Sequence, residues 1–163
     1  MTKIEIVNLA LYKLGERQPL ANLDGTDPKT LACVAAYPVI RDALLTSFPW
    51  PFATSSVTLM EAAEEFPKWV YAYVHPASAL RVLRVYSDNT QGGRSEAFMV
   101  QATPNGARRR ILANIRPAYC DYTVAVTDEA VFPPLFCDVL AYGLAAELAM
   151  PLTSDPDIFK AVE

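Results

Sequence analysis

Phe48-Pro49-Trp50-Pro51-Phe52-Ala53 divides two kinds of sequence. Before it, apolar residues recur at helical spacing; after it, short runs rich in Val, Tyr and Thr are separated by turn clusters. Pro49 and Pro51 lack amide donors and end helical structure between the two. Upstream, Thr2 and Glu5 fit a capping box, and Ile4, Val7, Leu11 and Leu14 follow at helical spacing until Gly15. A first helix over Lys3 to Leu14 is predicted. Glu16 to Thr26 reads as a connecting loop. Asp27-Pro28 then opens a long second helix carrying Leu31, Val34, Leu44, Leu45 and Phe48. Pro38 lies inside it, which predicts a kink near Val34 to Tyr37 or two helices in tandem.

Downstream, Ser55 to Val126 is a strand region. Cys120, Tyr122, Val124 and Val126 alternate with Tyr119, Asp121, Thr123 and Ala125, as in a strand with one buried face. Asn105-Gly106, between Phe98-Met99-Val100 and Ile111-Leu112, predicts a hairpin whose returning strand begins with Arg108, Arg109 and Arg110. Gly92-Gly93 reads as a flexible hairpin tip. Pro133-Pro134 opens a final helix through about Met150 that is apolar on nearly every side, and Pro151 is expected to close it. Ser154-Asp155-Pro156 starts a last helix of only about two turns, which must dock to be stable. The expected fold is α+β: one domain over 1–163, with a helical bundle from 1–54 and 127–163 and an antiparallel β-rich insertion at 55–126.

The chain has 163 residues, 52% hydrophobic and 20% charged, enough for one globular core. No uncharged apolar run reaches the roughly 20 residues of a membrane span, so none is expected. Met1-Thr2-Lys3-Ile4-Glu5 lacks the form of a secretory signal, which implies cytoplasmic synthesis. Cys33, Cys120 and Cys137 are odd in number and widely spaced, suggesting small buried hydrophobes instead of a disulfide framework or zinc site. A net charge of −4 argues against a surface that wraps nucleic acid.

Residues with chemical potential are few and scattered. His75, the sole histidine, ends an aromatic run just before a rigid turn, and no Gly-x-Ser-x-Gly elbow supplies a nucleophile. Glu61, Glu64 and Glu65 lie in an alanine-rich connecting stretch and read as a solvated turn more readily than as a cation or acid/base site. Gly92-Gly93 fits no phosphate-binding fingerprint. Arg108, Arg109 and Arg110 fit a charge-guarded strand edge, contact with an acidic protein neighbour, or contact with DNA phosphates; alternation puts one of them on a different face from its neighbours. Trp50, Phe52, Trp69, Tyr71 and Tyr73 are packing anchors before they are a base-stacking platform. No catalytic, metal-binding or cofactor-binding residue is assigned, and no enzymatic activity or cofactor is expected.

In order, the chain shows Ile6 to Gly15, Tyr37-Pro38 through Arg41-Asp42-Ala43, Phe48 to Ala53, Trp69 to Pro76, Leu80 to Val85, and Leu144-Ala145-Ala146-Glu147-Leu148-Ala149-Met150-Pro151-Leu152-Thr153. In that combination it resembles the tail tubular protein A family, the head-to-tail adaptors of short-tailed bacteriophages. The resemblance spans nearly the whole chain. It implies an α+β virion protein assembled as a dodecameric homo-oligomeric ring at the head–tail interface, between the portal protein and the tail nozzle protein, continuing a DNA channel without sequence-specific binding. It transfers no catalytic residue. Interface candidates are Arg108, Arg109 and Arg110 and, in the last helix, Asp157, Ile158 and Phe159. Two departures stand out: His75-Pro76-Ala77-Ser78 where relatives commonly carry Leu-Pro and an acid, and an end at Glu163 where relatives continue the last helix. The competing readings are a monomeric α+β ligand-binding or regulatory domain and a small hydrolase using His75 or the Glu61 cluster.

Overall fold

The computed structural model describes residues 1–88 and 94–152. It is an α+β fold with three helices, α1 (Lys3–Lys13), α2 (Pro28–Ser47) and α3 (Pro134–Leu152). Six strands form two small antiparallel sheets: β1 (Thr54–Thr58), β2 (Tyr71–Val74), β3 (Ala79–Tyr86), β4 (Phe98–Ala102), β5 (Arg109–Ala113) and β6 (Tyr119–Val124). The chain divides into two compact units. One is helical and combines Met1–Ser47 with the chain from Val126 onward; the other is the β-rich Phe48–Ala125. The helical part therefore ends at residue 47, not 54, because Pro49 and Pro51 already lie in the β unit, where Pro51–Ala53 makes a single 3-10 turn into β1.

In the helical unit, α1 starts as its capping box requires: the Glu5 amide donates to Thr2 Oγ1 at 3.4 Å and the Thr2 amide to Glu5 Oε2 at 2.8 Å. Leu14 caps its end and Gly15 follows at φ +85°. At α2 the Thr30 amide donates to Asp27 Oδ1 at 3.1 Å. The helix runs without a break across Pro38, so the tandem-helix alternative does not apply. α3 packs against both α1 and α2. It buries Phe136, Cys137, Leu140, Ala141, Leu144, Ala145, Leu148 and Ala149, a single face at helical spacing. Gly143 permits the α2 contact, since a Cβ there would stand 2.8 Å from Ile40 Cγ2. Pro151 falls inside the last turn of α3, one residue short of its end.

The β unit is two three-stranded sheets in the orders β1-β6-β3 and β2-β5-β4. Side chains from both sheets, among them Tyr73, Val85, Ile111 and Cys120, share one apolar cluster with Leu59. The opposite face of the second sheet is covered by residues 61–69, where Phe66, Ala62 and Trp69 pack on Ala72 and Leu112. β6 is the middle strand of its sheet and is buried on both faces from Cys120 to Thr123, where alternation had suggested one. The β4–β5 hairpin forms around Gly106 at φ +70°, closed by the Thr103 amide donating to the Arg108 carbonyl at 2.8 Å. The Gly92-Gly93 tip and the short helix from Ser154, with Asp157, Ile158 and Phe159, lie outside the described residues.

Candidate functional site

Arg109 and Arg110 open β5, the central strand of the second sheet, and Arg108 stands just before it, so the two strand residues guard no sheet edge. Pleating separates them. Arg110 shares the outer face with Leu112 and is only 4% exposed. Its Nε donates to Glu64 Oε2 at 3.0 Å, Nη2 donates to Glu64 Oε1, and Nη1 donates to the Arg109 carbonyl at 3.1 Å. These bonds, with the Arg110 and Arg108 charges, hold the Glu64 carboxyl below the usual glutamate range. Arg110 is thus a clasp between the covering segment and the sheet. Glu61 makes a second clasp, accepting from Arg116 Nε at 2.8 Å. Two of the three clustered acids are therefore ion-paired, where the sequence suggested a solvated turn. Residues 61–67 and 69–72 line a groove of about 650 Å³ beside them.

Arg109 falls on the other parity. Together with Arg108 and Arg110 it lines a pocket of about 380 Å³, completed by Val74, His75, Pro76 and Ala77 at the end of β2. His75 is half-buried, and its Nδ1 lies 2.9 Å from the Pro76 carbonyl. That oxygen only accepts, so Nδ1 carries the hydrogen. Burial and then the Arg109 charge push the imidazole below its ordinary value of 6.5, against the opposing effect of the Pro76 bond.

A third polar cluster lies in the first sheet, and sequence reading missed it. Asp121 is buried in β6 and accepts from Ser56 Oγ at 2.6 Å, Arg84 Nε at 2.5 Å and Tyr86 Oη at 2.9 Å. Burial alone would raise its carboxyl, but these three donors and the Arg84 charge bring it below the ordinary aspartate value of 3.8. The one local signal was an acid inside an otherwise apolar strand, which calls for a buried partner.

The aromatic anchors occupy different depths. Tyr73 is fully buried, with its hydroxyl donating to the Ile115 carbonyl at 2.5 Å. Tyr71 is half-buried, its ring 6.2 Å from that of Tyr73. Trp50 and Phe52 are half-buried, Trp50 lying 5.3 Å from Phe48 and 6.1 Å from Phe52. Trp69 is half-buried over the outer face of the second sheet.

Cys33, Cys120 and Cys137 are free and buried, and burial raises all three thiols, Cys120 to about 12. They stay protonated at neutral pH and are poor nucleophiles. Among the described residues, no group of three or more His, Cys, Asp or Glu side chains is placed to hold a metal ion. α3 is long and apolar enough to cross a membrane by length and composition, where the sequence reading found no run of that length; here one of its faces packs on α1 and α2.

Comparison of the sequence with known protein families gives no match, and comparison with characterised proteins gives none.

Proposed function

We propose that this chain is a non-catalytic subunit of a head-to-tail adaptor ring in a short-tailed bacteriophage, made in the host cytoplasm and joining the portal to the tail nozzle around the DNA channel. The observation that carries the reading is the outer face of α3. Leu135, Val139, Tyr142 and Met150 form an exposed row at helical spacing, with Leu135 64% and Met150 65% open to solvent. Leu31 and Val39 of α2 are exposed in the same unit. An apolar row along one helix face is a surface that a neighbouring chain would cover, although the Lys13 ammonium already lies 3.4 Å from the centre of the Tyr142 ring. The motif order of the sequence supplies the identity of the assembly.

Magnitude decides how much the row does alone. Burying an apolar side chain contributes about 1.5–3 kcal/mol when it starts fully exposed, and these start about half exposed. Association costs about 4–15 kcal/mol in lost freedom, so the α3 row offsets only the lower end of that range. Closure into a ring requires a second, different surface on each subunit, and every interface then supports the next.

Leu135→Glu and Met150→Glu test this. Each replaces an exposed side chain and should leave the helical circular dichroism and melting temperature near wild type. Each should also abolish assembly on a portal ring, read by sedimentation of the mixture. Unchanged assembly in both variants would contradict the reading. A monomeric α+β ligand-binding domain is the competing function, and a wild-type chain that never self-associates would support it.

A further inference from the structure

We propose that the pocket between the end of β2 and the start of β5 binds a phosphate group, held by Arg109 and His75 with Arg108 at the rim. The pocket lies within one β unit and does not depend on ring assembly.

Strand register sets the geometry. Val74 and Arg110 are the last registered pair of β2 and β5, and the residues just beyond them, His75 and Arg109, line the same pocket, where the Arg109 charge acts on the imidazole. With its midpoint lowered the imidazole is neutral at neutral pH, and protonating it would set a like charge near Arg109. No acid lines the pocket. Glu64 is bound to Arg110, which also lines the pocket, and it senses Arg108 as well. Among the described residues Arg109 has no ion-pair partner. An anion in the pocket offsets the Arg109 charge, favours the protonated form of His75 and adds charge-assisted hydrogen bonds.

The donor set selects the anion. Arg109 and Arg108 each offer parallel N–H groups. His75 already uses Nδ1–H on the Pro76 carbonyl, so on taking up a proton it gains a second N–H with no competing partner among the described residues. Three donors on separate side chains suit a tetrahedral group with three or four acceptor oxygens better than a carboxylate with two. Phosphate is such a group, and it carries between one and two negative charges at neutral pH. The pocket is far larger than one water, so the group enters with part of its hydration shell.

Because the chain has a single histidine, the imidazole reports on its own site. The experiment is a pH titration of the isotope-labelled imidazole resonance of the full-length protein, alone and with saturating inorganic phosphate. Phosphate should raise the His75 midpoint by about one pH unit. Arg109→Gln, a substitution at an exposed position, should raise the midpoint without phosphate, because the opposing charge is gone, and should abolish the phosphate response. Arg108→Gln should weaken that response several-fold. A phosphate-independent midpoint in the wild type would overturn the proposal, as would an equal response in Arg109→Gln. A short DNA duplex forms a second arm. The same shift with duplex identifies a backbone phosphodiester as the source, whereas a shift with inorganic phosphate alone retains the site and assigns it to a free phosphate. A shift with an acidic peptide and none with phosphate would refute the site and point to a protein partner.

Discussion

The helical unit and the β unit are stabilised in different ways. α3 meets α1 and α2 through a face of Leu, Ala, Phe and Cys, with Gly143 set where a side chain would strike Ile40. Both units carry ion pairs, among them Lys13–Asp138 and Arg41–Asp42 in the helical one, but the β unit alone, among the described residues, buries charged side chains: Arg110 on Glu64, and Asp121 beneath Arg84, Tyr86 and Ser56, with Arg116–Glu61 at the surface. The difference teaches where each unit is vulnerable. Close apolar packing responds to volume, whereas buried ion pairs respond to protonation and to loss of one partner. Both tryptophans, Trp50 and Trp69, belong to the β unit, so their fluorescence follows that unit while helical dichroism follows mainly the other.

The largest expected effect is in the helical unit. Phe136→Ala should cost about 4 kcal/mol, since the ring is fully buried and sits 4.8 Å from Phe132. Chemical denaturation read by helical dichroism measures it, and a loss below about 1 kcal/mol would show that the apolar face is loosely packed.

Asp121→Ala comes next, at about 3 kcal/mol, because it strands the Arg84 and Tyr86 donors; Arg84 is partly exposed, which keeps the loss at the low end for a broken buried pair. The pH dependence follows from the depressed carboxyl. Its stabilisation is complete above the unfolded value near 3.8 and is lost as pH falls through the lower folded value. Tryptophan fluorescence should therefore report acid unfolding of the β unit beginning below about pH 4 in the wild type, with that component missing in Asp121→Ala. An identical acid profile in the two proteins would remove the distinction between the units.

A smaller effect is expected at Gly143. Overpacking against Ile40 costs about 1–3 kcal/mol, but replacing a helical glycine by alanine returns about 1 kcal/mol of propensity. The net loss for Gly143→Ala should be about 1 kcal/mol by denaturation; a gain would mean that the helices separate freely.

The smallest effect has the opposite sign. Thr123 Oγ1 is buried in β6 without a hydrogen-bond partner among the described residues. Thr123→Val removes that group at nearly constant shape and should stabilise the β unit by about 0.5–1 kcal/mol. A destabilised variant would indicate a partner for the hydroxyl.

Legibility from sequence divides along the same line. The capping box at Thr2, the Asp27-Pro28 start and the end of α2 were readable because a helix is decided by residues within four positions of one another. The hairpin at Gly106 was readable for the same reason. Glu64 and Arg110 are 46 residues apart and Asp121 and Arg84 are 37, and nothing local connects either pair. The double burial of β6 was hidden too, since its central place depends on β1 and β3 arriving from distant segments. Of the two alternatives at Pro38, the tandem helices are excluded because α2 runs on without a break, and Pro151 sits within α3 instead of closing it. Of the candidate site, the separation of Arg109 from Arg110 followed from alternation alone. That His75 and Arg109 share a pocket needed the β2–β5 register, which brings the end of one strand to the start of the other.

The central claim is that the chain is a ring-forming subunit, and native mass spectrometry of the purified full-length protein tests it most directly, first alone and then with a portal ring present. A closed species at a whole-number multiple of the chain mass, dodecameric if the resemblance holds and present on the portal if not in isolation, is the predicted result. A single-chain mass under both conditions and across the accessible concentration range would contradict it.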